Sequence, residues 1–144
     1  MNNTSFGRDH LSGFTLIELM VVVAIIAILG LLVYPSYQKD MYASRRSDAM
    51  AALNEDAQVL ERCYTQYFSY NNASCPAVPT TSPKGYYSIA STITASTYTL
   101  TATPLAGGPQ AGDSECTSFT LGNTGAQGAT GSGGASAASE CWTN

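Results

Sequence analysis

From Phe14 to Tyr34 the chain is apolar apart from Thr15, Glu18 and Gly30, and Pro35 follows at once. As a helix this run is about 31 Å long at ~1.5 Å per residue, close to the roughly 30 Å hydrocarbon core of a bilayer. A secretory signal carries a small-residue cleavage site after such a stretch and is discarded. No such site follows Val33, where YPSYQKDMY reads as helix continuing. The small-residue junction lies in front, at Gly13–Phe14, so a cut there removes MNNTSFGRDHLSG and keeps the apolar run.

Glu18 is the anomaly in this run. A carboxylate in a bilayer costs roughly 2.5–3.5 kcal/mol on insertion scales and normally faces a partner. Cleavage before Phe14 creates one, a cationic amine four residues away. Within one helix the two groups are about a turn apart; between two helices offset along a common axis, the acid of one subunit meets the amine of its neighbour. Only the second arrangement rewards assembly, since a lone buried charge is more expensive than a paired one. The alternative is a signal-anchor whose Glu18 snorkels to the interface.

GFTLIELM, Gly13 to Met20, resembles the processing and methylation motif of the type IV pilins, filament subunits made as prepilins. The resemblance implies that a prepilin peptidase cuts between Gly13 and Phe14 and N-methylates Phe14, and that Glu18 takes part in recruitment to the filament. PSYQ, RRSDA, LERCYTQY, TYTLTATP, CTSFTLGNTGAQGATG and the closing CW extend the likeness over nearly all of residues 14–144, most closely to minor pilins of the PilE kind. It implies a leader at 1–13, a transmembrane and filament-core helix at 14–35, and a periplasmic or extracellular globular domain at 36–144. It also implies other pilin subunits, an assembly platform and an ATPase as partners. The resemblance implies a single-pass protein of the inner membrane before assembly and an extracellular pilus subunit after it.

After Pro35, which removes a helix hydrogen bond, residues 36–67 repeat apolar side chains at helical spacing: Met41, Ala49, Leu53, Leu60, Tyr64 and Tyr67. Pro35, with Gly30 before it, is expected to kink or locally melt the helix. Arg45 and Arg46 read as a solvated face paired with Asp40 and Asp48, and Glu55 and Asp56 as carboxylates in water. Residues 69–85 are loop by their Asn, Ser and Pro content. Strand-like runs follow at 86–91, 97–104 and 118–122, with a weaker fourth expected at 92–94. The 105–116 connection is expected to be mobile. The Gly, Ala and Ser tail shows no periodicity, although Trp142 near its end calls for burial. The fold class is therefore α+β: a long N-terminal helix packed on a small antiparallel sheet, with a disulfide-bounded C-terminal loop.

The four cysteines, Cys63, Cys75, Cys116 and Cys141, all lie beyond the apolar run and form no CxxC pair. An even count behind a membrane-directing segment reads as disulfides in an oxidising compartment. Three connectivities are possible. Cys63–Cys75 with Cys116–Cys141 is the choice taken, because each then closes a short loop rich in turn residues; a zinc site competes, without ligand-type spacing. No catalytic residues, metal or cofactor are assigned: the single histidine, His10, lies in the leader, and no GxSxG or HExxH occurs. A formal charge of −4 with six Lys and Arg disfavours DNA, since phosphate binding needs several cations. The leading reading is thus a structural pilus subunit serving adhesion, twitching motility or DNA uptake. Its rivals are a DNA-binding competence pilin and a type II secretion pseudopilin.

Overall fold

The computed structural model describes residues 13–143, so residues 1–12, His10 among them, and Asn144 lie outside it. The chain divides into a unit ending at Tyr37 and a second beginning at Gln38. One helix, α1 (Leu16–Tyr67), supplies the first unit and the opening of the second. Neither Gly30 nor Pro35 ends it: the chain keeps the one long helix expected, and of the kink or local melting foreseen at Pro35 the melting does not occur. In the N-terminal unit the large side chains from Phe14 to Val33 are exposed.

In the second unit the buried positions of α1 include Arg46, Ala49, Leu53, Asp56, Leu60 and Cys63. Their alternating spacing of three and four residues is the stripe a helix buries on one side. Facing it are four antiparallel strands in the order β1-β2-β3-β4: β1 (Tyr87–Ile93), β2 (Tyr98–Pro104), β3 (Ser118–Gly122) and β4 (Gln127–Thr130). The register carries Ile89 to Ala102, Ala102 to Phe119 and Phe119 to Ala129, so one buried row crosses the whole sheet. Leu53 and Leu60 join Tyr87, Leu100 and Phe119 in the core. Burying each such side chain contributes roughly 1.5–3 kcal/mol.

Several expectations are corrected. Thr92 is no part of a separate strand: β1 runs on to Ile93, which pairs with Tyr98, and Thr94 closes the turn by bonding Thr97. The fourth strand instead lies in the Gly-rich tail, as β4. Gly128 sits opposite Thr120 in its pairing with β3, where a Cβ would come 2.5 Å from the threonine Oγ1. Tail residues are also held by a short helix, α2 (Ala138–Cys141), and by Trp142, whose indole N–H donates to the Gly128 carbonyl at 2.8 Å. The carboxylates at 55–56 part company: Glu55 is exposed, whereas Asp56 is buried.

Candidate functional site

Two places in the molecule carry the chemistry that distinguishes it. The first is the start of α1. Thr15 precedes the helix, and its Oγ1 accepts a hydrogen bond from the Glu18 backbone N–H at 3.3 Å, while its carbonyl accepts from Leu19 N–H at 3.2 Å. T-x-x-E is the capping-box spacing, and Glu18 in the first turn also suits the positive end of the helix dipole. Glu18 therefore has a local reason for its position that the charge-pairing argument overlooked; the signal was Thr15 three residues earlier. Phe14 is 82% exposed, and Gly13 has open space around its Cα. Glu18 makes no ion pair among the described residues.

The second place is where α1 receives the 105–117 connection. Arg46 projects from the buried stripe and grips Asp113 with a fork: Nε to Oδ2 at 2.7 Å and Nη2 to Oδ1 at 2.8 Å. Such planar, bidentate pairing is the strongest form of charge-assisted hydrogen bond. Nη2 reaches Glu115 Oε2 as well, at 3.0 Å, and Lys39 approaches the other oxygen of Glu115 at 3.5 Å. Asp113 accepts further bonds from Gln110 Nε2 and from the backbone N–H groups of Glu115 and Cys116. Gly112 keeps the loop close, since a Cβ there would come 2.5 Å from the Tyr42 hydroxyl.

This cluster overturns two expectations. The connection expected to be mobile is pinned through Gln110, Asp113 and Cys116, all buried. The arginines do not pair with Asp40 or Asp48. Arg45 donates to the Pro109 carbonyl at 2.9 Å and lies 5.4 Å from the Tyr86 ring centre, while Asp48 accepts from Ser82 Oγ and the Lys84 backbone N–H. The Asp113 carboxylate, chiefly, holds the Arg46 guanidinium firmly protonated, and the Arg46 hydrogen bond in turn holds Glu115 below the usual carboxylate range.

Disulfides join Cys63 to Cys75 and Cys116 to Cys141. The first ties the end of α1 to the loop after it. The second ties the pinned connection to α2, beside the Arg46 cluster. Tyr64, Tyr70 and Tyr98 form a stacked and edge-on series at 4.5 and 4.9 Å. The Tyr70 hydroxyl donates to Glu61, and burial, with Glu61 assisting, pushes the phenol up to about 12. These rings are core and rim, with Tyr70 and Tyr98 buried.

Residues 10–34 match the prokaryotic N-terminal methylation motif. Residues 35–120 match the family described as type IV minor pilin ComP, DNA uptake sequence receptor. The type IV major fimbrial protein FimA of Dichelobacter nodosus is 45% identical over 51 residues, 35% of this chain and 33% of that protein. A fimbrial protein of Neisseria meningitidis is 34% identical over 77 residues, 52% of this chain and 45% of that protein. The chain thus spans less than half the length of either curated relative. The minor pilin PilV of Neisseria meningitidis shares the fold at a TM-score of 0.55 and 23% identity, over 67% of this chain and 93% of that structure. On the match over residues 35–120, with the methylation motif in front of it, the chain belongs to the type IV minor pilin family.

Proposed function

We propose that this chain is a structural subunit of a type IV pilus, a minor pilin, assembled through the N-terminal part of α1. The observation that carries the reading is the exposed apolar surface from Phe14 to Val33 with a single carboxylate in its first turn. Lipid satisfies such a surface before assembly, and neighbouring helices satisfy it equally well afterwards. Prepilin peptidase cuts between Gly13 and Phe14 and methylates the new amine; that amine then meets Glu18 of an adjoining subunit and sets the axial register. On this reading residues 14–35 are the membrane and filament segment, and 36–144 the domain outside the inner membrane. A platform protein and an ATPase drive extraction into the fibre. The pinned 105–117 connection and the Cys116–Cys141 bridge supply a rigid outer surface, and no step of this function calls for catalysis.

Intact-mass and N-terminal analysis of material sheared from cells tests the reading. Phe14 carrying one added methyl is expected; Met1 retained on assembled subunits would overturn it. Glu18→Ala should leave the subunit in the membrane and lower its incorporation at least tenfold. Lost secretion in place of lost twitching, on deletion, would assign the subunit to a secretion pseudopilus.

DNA reception is the second reading, favoured by the family match over residues 35–120. Charge weighs against it. Arg46 is consumed by Asp113 and Glu115, and Lys39 lies against Glu115, which among the described residues leaves Arg45, Arg62 and Lys84 to meet phosphate. With so few cations, any affinity for duplex DNA should fall by a log–log slope of no more than about 3 with salt. Anisotropy of a labelled duplex against the full chain at two salt concentrations measures it. No binding at low salt removes this reading and leaves the structural one intact.

A further inference from the structure

Further along α1 from Arg46, at the stripe residue Asp56, a cavity of about 360 Å³ lies between the helix and the segment 76–83. Val59, Pro76 and Pro79 contribute apolar wall. Asp56 lines it while only 5% exposed, and its carboxyl oxygens, paired with none of the described residues, are not sealed from solvent. Glu55 and the hydroxyl-bearing Thr81 line it too. A largely buried carboxylate answered only by solvent costs the fold stability. Nothing in the packing of the stripe requires an acid there, since its neighbours Leu53 and Leu60 are leucines.

We propose that this cavity binds a primary ammonium group on an alkyl stem, held between the carboxylates of Asp56 and Glu55. The head follows from donor arithmetic. An ammonium offers three N–H donors, and the cavity offers the two carboxylates and the Thr81 hydroxyl to receive them. A calcium ion takes six to eight oxygens, more than these side chains provide. The stem follows from the proline and valine walls, which lie against methylenes without competing for the head.

Ionisation agrees with this arrangement. Burial, with Glu55 assisting, raises Asp56 to about 6. The groups facing it are Glu55 on its own helix and the segment 76–83, which carries no titratable side chain. A bound ammonium reverses the local charge balance and draws the Asp56 midpoint down.

The chemistry is shared by a free alkylamine and by a lysine side chain of another protein, and both are tested on the full chain in detergent micelles. Carbon-13 carboxyl signals are followed at pH 8 during additions of n-pentylammonium chloride, of a blocked Gly-Lys-Gly tripeptide, and of pentanol. Saturable movement of the Asp56 signal with an ammonium compound, and none with pentanol at the same concentration, is expected. Asp56→Asn should weaken the ammonium at least tenfold and Glu55→Gln several-fold. Tighter binding of the tripeptide points to a partner's lysine, and tighter binding of pentylammonium to a free amine. Without any variant, the wild-type Asp56 midpoint should fall below about 6 when the ammonium is present. An unmoved midpoint, equal binding of pentanol, or undiminished binding by Asp56→Asn overturns the proposal. None of these outcomes bears on filament assembly.

Discussion

Asp113 is 3% exposed and receives both arms of Arg46, the Gln110 amide and two backbone N–H groups. Asp56 is 5% exposed and receives nothing from the described residues. Asp113 meets the buried stripe of α1 at Arg46, Asp56 belongs to that stripe further along it, and burial alone does not tell the two apart. The contrast is one of compensation. At the Arg46 end a buried charge is fully answered, and the answer fastens a long connection to the helix. At the Asp56 end the charge is left to solvent access and protonation, so it weakens the fold by itself and awaits something cationic.

The largest effect is expected where the compensated end is broken. Arg46→Ala strands the Asp113 carboxylate in the interior and should cost about 3–5 kcal/mol in chemical denaturation. Fast amide exchange should spread through residues 110–116 in the same variant. Removing both charges together, Arg46→Met with Asp113→Leu, separates charge from hydrogen bonding. It still orphans the N–H groups of Glu115 and Cys116, at about 1–3 kcal/mol each if they stay dry. A double variant as stable as wild type would show that Asp113 does not hold the connection.

The uncompensated end should move the other way. Asp56 binds its proton more tightly folded than unfolded, with a midpoint raised from 3.8 to about 6. The folded state therefore holds the extra proton between those values, and stability falls as pH rises through that window. Asp56→Asn removes the ionisation, so it should raise stability at pH 7–8 on the order of 1 kcal/mol, discounted for the solvent reaching the cavity. At pH 4 it should change little. Thermal unfolding at the two pH values checks this, and equal effects at both would mean that Asp56 carries no buried charge.

How much of this contrast could be read in advance differs between the two ends for a physical reason. The apolar run, Gly13–Phe14 and Glu18 are local features, and so is the alternation of Tyr98, Leu100 and Ala102, all of which are buried. Arg46 and Asp56 occupy stripe positions as regularly as Ala49, Leu53 and Leu60 do. A search for apolar residues alone passes over them; the three-and-four spacing was the available signal. Asp113 was legible in neither way, since its burial depends on an arginine 67 residues earlier. β4 was hidden because QGAT has almost no strand character; it pairs with β3, and Gly128 leaves room for the Thr120 side chain opposite. Long-range partners, not local propensity, decided each of these.

Glu115 is the intermediate case and the smallest expected effect. It shares the Arg46 guanidinium with Asp113, yet its side chain is 54% exposed and reaches Lys39 across solvent. Exposed pairs of this kind contribute roughly 0.2–1 kcal/mol, so Glu115→Gln should cost a few tenths of a kcal/mol at neutral pH and less in high salt. Its carboxyl is held below the ordinary range by Arg46 first and Lys39 second. That stabilisation is present above the ordinary glutamate value and is lost as pH falls through the depressed one. Wild type should therefore gain stability from Asp56 on mild acidification and lose it from Glu115 on going further. Glu115→Gln should flatten the second limb and leave the first untouched. If it altered the limb between pH 5 and 6 instead, the two regions of the stripe would be electrostatically coupled, and the contrast between them would not be one of separate sites.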